Sequence, residues 1–128
     1  MQLPVALGNA DEYFKETGDR WFIGHFMPPL DIRHDDNVEL KWSSHKAGDQ
    51  KEQFVVDNTT TVVVLFFGKL RQEYKCTEHS DKITTVVLLK CGDYVITRPG
   101  VYHRWYVEED CQALTIRWHS SFSQGDKT

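Results

Sequence analysis

Residues 92–103, Gly-Asp-Tyr-Val-Ile-Thr-Arg-Pro-Gly-Val-Tyr-His, compress a strand, a rigid reversal and a returning strand into one short stretch, and this constrains the fold more than any other segment. Gly92 and Asp93 carry turn chemistry, residues 94–97 are β-branched or aromatic, and Pro99 with Gly100 fixes a tight reversal. Residues 101–107 then return as a strand. Alternation places His103, Trp105 and Val107 on one face and Tyr102, Arg104 and Tyr106 on the other.

The remaining segments follow the same grammar. Asn9 as cap, Glu12 at the capping-box position and Gly18 as terminator predict a single short helix over residues 9–18, outside any barrel. Residues 20–27 read as a strand stopped by Pro28 and Pro29, and residues 30–37 as a polar loop. Residues 38–45 form a strand with Leu40 and Trp42 on one face and Lys41, Ser43 and His45 on the other. Gly48 turns the chain into a strand over 51–56, and Asp57-Asn58 turns it again. Residues 59–67 are the most β-prone run, broken at Gly68 before a strand over 70–74. A polar hairpin loop over 75–82 leads to a strand over 83–90. Glu108-Glu109-Asp110 is expected to turn the chain into a last strand over 112–119, followed by a polar tail over 120–128. About nine short strands with regularly spaced turn signals predict an all-β sandwich or barrel.

With 128 residues the chain is expected to be one domain with one core. No apolar run reaches membrane-spanning length, the N-terminus lacks a signal-peptide pattern, and the expected location is the cytoplasm. A net charge of −4 without a basic, aromatic-interleaved cluster argues against nucleic acid as a partner. Cys76, Cys91 and Cys111 are odd in number and lack paired spacing, so they read as reduced thiols without a catalytic role.

The stretch at 92–103 resembles the second signature motif of the cupin family, in which glycine is followed after five residues by proline, then at fixed spacing by glycine and histidine. Gly92, Gly100 and His103 fall in register, whereas Arg98 stands at the proline position and Pro99 beside it supplies the ring. The first cupin motif, anchored on Gly48 and ending on Gly68, puts Phe54, Val56 and Thr61 where the family has two histidines and a carboxylate. The resemblance, over roughly residues 38–118, implies a cupin-type jelly-roll β-barrel with a 1–37 extension and a mouth between the sheets that takes up ligand. It also implies a metal site whose first-motif ligands this chain replaces with an aromatic, an aliphatic and a hydroxyl, none a strong ligand for a divalent metal.

On that frame Phe54, Val56, Thr61 and His103 converge in one ring, joined by Val63, Leu65 and Trp105. His103 is the candidate catalytic residue. Lys41, His45, Phe54, Val56, Thr61, Arg71 and Trp105 are candidate ligand contacts, Arg71 as a carboxylate or phosphate clamp and Trp105 as a stacking face. The bland alternative is a hydrogen-bonded core His103, an outward Arg71 and a core Trp105. No cofactor is expected; a divalent metal would need His103 and His45, completed by Glu52 or a substrate oxygen. His25, His34, His79 and His119 read as structural or exposed.

Three functions compete. The first is a non-enzymatic cupin holding a small organic molecule in an apolar interior. The second is an enzyme, either an isomerase, epimerase or lyase using His103 as acid or base, or a metal-dependent oxygenase. The third is a homodimeric structural or partner-binding protein, with Trp21, Phe22 and Phe26 covering a sheet edge.

Overall fold

A computed structural model describes residues 5–119. Its organising elements are two very long strands, β3 (Thr60–Lys75) and β6 (Tyr102–Trp118), which pair antiparallel from Thr60 opposite Trp118 to Lys75 opposite Tyr102. Their register slips between Leu65 and Leu70. A slip of this kind is a β-bulge, which bends a strand and lets one pair of strands serve two layers. The first half of β3 also pairs with β5 (Tyr94–Thr97), and its second half with β4 (Thr84–Leu88). The far half of β6 pairs with β2 (Val38–His45), which in turn holds the short edge strand β1 (Trp21–Ile23).

Gly68 makes the bulge feasible. Its φ of +96° suits glycine, and a β-carbon there would crowd the Asp110 carbonyl oxygen and lie 2.6 Å from the Cys111 α-carbon. The bulge also changes which residues face inward. Before it, Thr61, Val63 and Leu65 point inside; after it, Leu70 and Gln72 do. On β6 the odd positions 103, 105 and 107, and then 111, 113, 115 and 117, face inward on either side of the exposed Glu109.

Several local expectations change in three dimensions. The acidic residues 108–110 do not turn the chain; they lie inside β6 opposite the β3 bulge, where cross-strand pairing outweighs their weak β-propensity. Residues 51–56 are not a continuous strand, because only Gln50 and Val55 bridge to β6, at Tyr106 and His103. The first strand ends at Ile23, because Gly24 leaves the extended path and receives turn hydrogen bonds from Met27 and Asp35. The polar tail over 120–128 lies outside the described residues.

Helix α1 (Ala10–Thr17) forms where the capping pattern placed it. The Asn9 side chain accepts the Glu12 amide at 2.9 Å, and Gly18 closes the helix in the left-handed conformation. It packs outside the sheet against β2, with the Trp42 indole donating to Asp11 at 3.1 Å. Among the described residues no helix is long and apolar enough to cross a membrane.

The core is built from Leu65, Leu70, Leu88, Val107, Cys111 and Ala113, with Val63, Val86, Val95 and Trp105 packed against it. Truncating a residue as deeply buried as Leu65 costs about 2–5 kcal/mol. Leu70, Cys111 and Ala113 also line a cavity above this core, so they form its floor.

Candidate functional site

The cavity has a volume of about 570 Å³ and opens between the halves of the bent sheet. Its walls come from alternation already visible in the strands: Lys41, Ser43 and His45 from β2, Thr61 and Val63 from β3, and His103 and Trp105 from β6. The segment leaving helix α1 adds Arg20 and Trp21 at the mouth.

Five of the eight candidate residues therefore surround one space: Lys41, His45, Thr61, His103 and Trp105. Phe54, Val56 and Arg71 do not line it. Phe54 lies outside the barrel, with the Arg104 and Lys75 cations 4.2 and 4.5 Å from its ring centre. Val56 is exposed, and the inward positions of that segment are Val55 and Asp57, one residue later than the motif frame gives. Without regular strand pairing over 51–56, the motif spacing anchored on Gly48 does not fix which of these residues face inward. Arg71 faces outward because the Gly68 bulge shifts the parity of β3; it lies over Tyr106, 3.8 Å from both Glu73 and Glu108. Leu65 is buried in the core below the cavity rather than on its wall.

The two inward histidines are oriented by hydrogen bonds. His103 donates from Nδ1 to the Val101 carbonyl at 3.1 Å, and His45 donates from Nδ1 to the Asp49 carboxylate at 3.0 Å. A carbonyl and a carboxylate accept, so Nδ1 keeps the proton, and in the neutral ring the lone pair lies on Nε2. His45 packs against Trp105 with ring centres 4.7 Å apart. Burial holds the His45 pKa below its ordinary value, against the opposing pull of Asp49, and nearby Arg20 and Lys41 push it the same way as burial. The imidazole is thus neutral near pH 7. The orienting Asp49 was not singled out in the sequence; the His45-to-Asp49 spacing across a turn is the signal that could have found it.

Asp57 is the carboxylate that the shifted frame brings to the wall. Burial raises its pKa, but hydrogen bonds from the Thr59 hydroxyl and amide, with the nearby Arg117 charge, outweigh burial and hold it below the ordinary carboxylate value. Cys111 is buried and its thiol is pushed up to about 11, first by burial and then by Asp110 and Asp49, so it stays protonated and non-nucleophilic. Lys41 behaves in the opposite sense. Burial, then the charges of Arg20, Lys51 and Arg117, lower it from 10.5 to about 8.

The metal centre implied by the cupin resemblance does not fit this donor set. Among the described residues no three His, Cys, Asp or Glu side chains converge on one point. At the first-motif positions the wall presents Val55, Asp57 and Thr61, with Asp57 already engaged by Thr59. The remaining described histidines lie elsewhere: His25 beside Glu39, His34 on the Met27 carbonyl and Asp36, His79 beside Glu78, and His119 exposed after β6.

No family model matches the sequence, and no curated protein matches it at a significant level. Solved structures do. A conserved protein of unknown function from Streptococcus pyogenes aligns over 67% of this chain and 68% of its own, at 15% identity and a TM-score of 0.55. A cupin superfamily protein from Desulfitobacterium hafniense aligns over 67% and 71%, at 13% identity and a TM-score of 0.53. Bacillus subtilis oxalate decarboxylase aligns over 70% of this chain but 23% of its own, at 16% identity and a TM-score of 0.56. At these identities the likeness concerns the fold. With the bent β3–β6 pair and the cavity between their halves, it identifies this chain as a cupin-fold protein.

Proposed function

We propose that the protein binds a small organic molecule in its barrel interior through its own side chains, without a cupin-type metal centre. The observation carrying this reading is the cavity itself. About 570 Å³ suits a small molecule, and its lining combines apolar walls (Val55, Val63, Leu70, Trp105) with a few convergent polar groups. His45 and His103, each held through Nδ1, present oriented Nε2 atoms that fix the orientation of a bound polar group.

The test is to expose tag-free protein to a small-molecule extract, wash it, and identify by mass spectrometry what denaturation releases. Retention of a defined compound, weakened by His103→Ala, supports the reading. Release of nothing above a bovine albumin control overturns it. Elemental analysis runs beside it, since one equivalent of metal that vanishes in His103→Ala would replace a direct ligand site with a metal site.

Self-association as a homodimer is a second reading. It is favoured by the exposed apolar side chains on and beside the edge strands β4 and β5, where Leu89, Tyr94 and Ile96 are each more than half exposed.

A further inference from the structure

The charges around the cavity are unbalanced. Four permanently or mainly cationic side chains line it: Arg20, Lys41, Lys51 and Arg117. Arg117 is neutralised locally, with Glu39 at 2.7 Å and Asp57 at 3.9 Å. The other three make no ion pair within 4.0 Å among the described residues. Asp19, the remaining carboxylate on the wall, accepts the Trp21 amide. Asp49 lies near Arg20 but is engaged by His45.

Arg20 is held rather than dangling. Its guanidinium stacks 4.4 Å from the Phe14 ring centre on helix α1, and its Nε is buried with no hydrogen-bond acceptor among the described residues. Lys41 extends from the central sheet with its ammonium 5.6 Å from the Trp21 ring centre, and Lys51 enters from the opposite segment. Like charges in a partly desolvated space repel one another, and a buried donor without an acceptor carries its own desolvation cost. The repulsion falls when an anion enters. A guanidinium and two ammonium groups supply charge-assisted hydrogen bonds that suit a carboxylate or a phosphate.

We propose that the ligand is a small organic anion whose carboxylate or phosphate is held by Arg20, Lys41 and Lys51, with its apolar body against Val55, Val63 and Trp105. The proposal rests on the interior being a small-molecule site, and it deepens that reading by assigning the chemical class. The same cationic rim disfavours a neutral ligand by comparison and repels a free metal cation.

The test uses three probes with a common aromatic body: benzoate, phenyl phosphate and benzyl alcohol. Each is titrated at constant ionic strength into full-length protein, with the indole signals of Trp21 and Trp105 followed by NMR. The expected result is that one or both anions bind at least about tenfold tighter than the alcohol, as for charge-assisted contacts. Arg20→Gln and Lys41→Met should each weaken the anion about tenfold or more and leave the alcohol unchanged. Lys46→Met, which removes an exposed lysine beside Asp110 and outside the cavity, should bind as wild type. Unperturbed Trp42 and Trp118 signals report that each variant is folded. Which anion wins distinguishes carboxylate from phosphate recognition. Equal affinity for all three probes, or anion binding insensitive to Arg20→Gln and Lys41→Met, overturns the anion assignment while leaving a small-molecule site in place. Absence of binding by all three overturns the assignment too, and the extract experiment then decides separately whether the interior binds anything.

Discussion

Replacing Lys41 by methionine should stabilise the free protein, by an amount set by the site. The structure lowers the Lys41 pKa from 10.5 to about 8, first by burial and then through Arg20, Lys51 and Arg117. At about 1.4 kcal/mol per pH unit, the charged ammonium costs the fold roughly 3 kcal/mol, reduced in practice by whatever water reaches the mouth. The sign follows from proton counting. Between about pH 8 and 10.5 the unfolded chain keeps the proton that the folded chain has lost, so stability rises with pH through this window. Below pH 8 both states are protonated and the whole cost is present; above 10.5 it disappears. Methionine keeps the length and apolar stem of lysine without the charge. In urea denaturation at pH 7, Lys41→Met should therefore gain about 1–3 kcal/mol. That advantage should shrink towards zero between pH 8 and 10.5. A variant less stable than wild type at pH 7, or a gain that does not fade with pH, would refute the placement of an uncompensated ammonium in the cavity wall.

The remaining expectations concern other parts of the molecule. Gly68→Ala should cost about 3 kcal/mol or more in the same assay, since it adds a left-handed non-glycine residue and a collision with β6; a loss below 1 kcal/mol would mean that the bulge relaxes easily. By NMR, His45 should titrate below the ordinary histidine range and His34, which donates to the Met27 carbonyl, above it. Asp49→Asn should lower His45 further; an upward movement would show that the carboxylate does not support its protonated form. Because the unfolded chain protonates at position 45 before the native chain does, that residue's contribution to stability falls as pH drops below about 6.5. Light scattering at high concentration should report a dimer if β4 and β5 associate, and a monomer would remove that reading.

The fold was legible where local chemistry and tertiary pairing agree. The reversal at Pro99-Gly100, the helix caps at Asn9 and Gly18, and the alternation of Lys41, Ser43 and His45 all hold in three dimensions. What alternation could not supply was continuity across irregular backbone. Gly68 read as a strand break, yet it is a bulge inside one long strand, and the one-residue slip turned Arg71 outward. The 51–56 segment lacks a regular ladder, so the motif spacing anchored on Gly48 selected Phe54 and Val56 where Val55 and Asp57 face the cavity. Arg20 and Lys51 were missed for a different reason. Each is an isolated basic residue in sequence, and only the closure of helix α1 against β2 and of the 50–55 segment against β6 brings them to the same cavity.

The central claim is that the barrel interior takes up a small molecule, and the four tryptophans report on it by position. Trp21 and Trp105 line the cavity, whereas Trp42 is tied to Asp11 outside it and Trp118 ends β6. The decisive measurement is an indole-resolved NMR titration with the compound recovered from the extract. The account predicts that the Trp21 and Trp105 signals move together and saturate while those of Trp42 and Trp118 stay fixed. Movement confined to Trp42 or Trp118, or no saturable change at any indole, would contradict it.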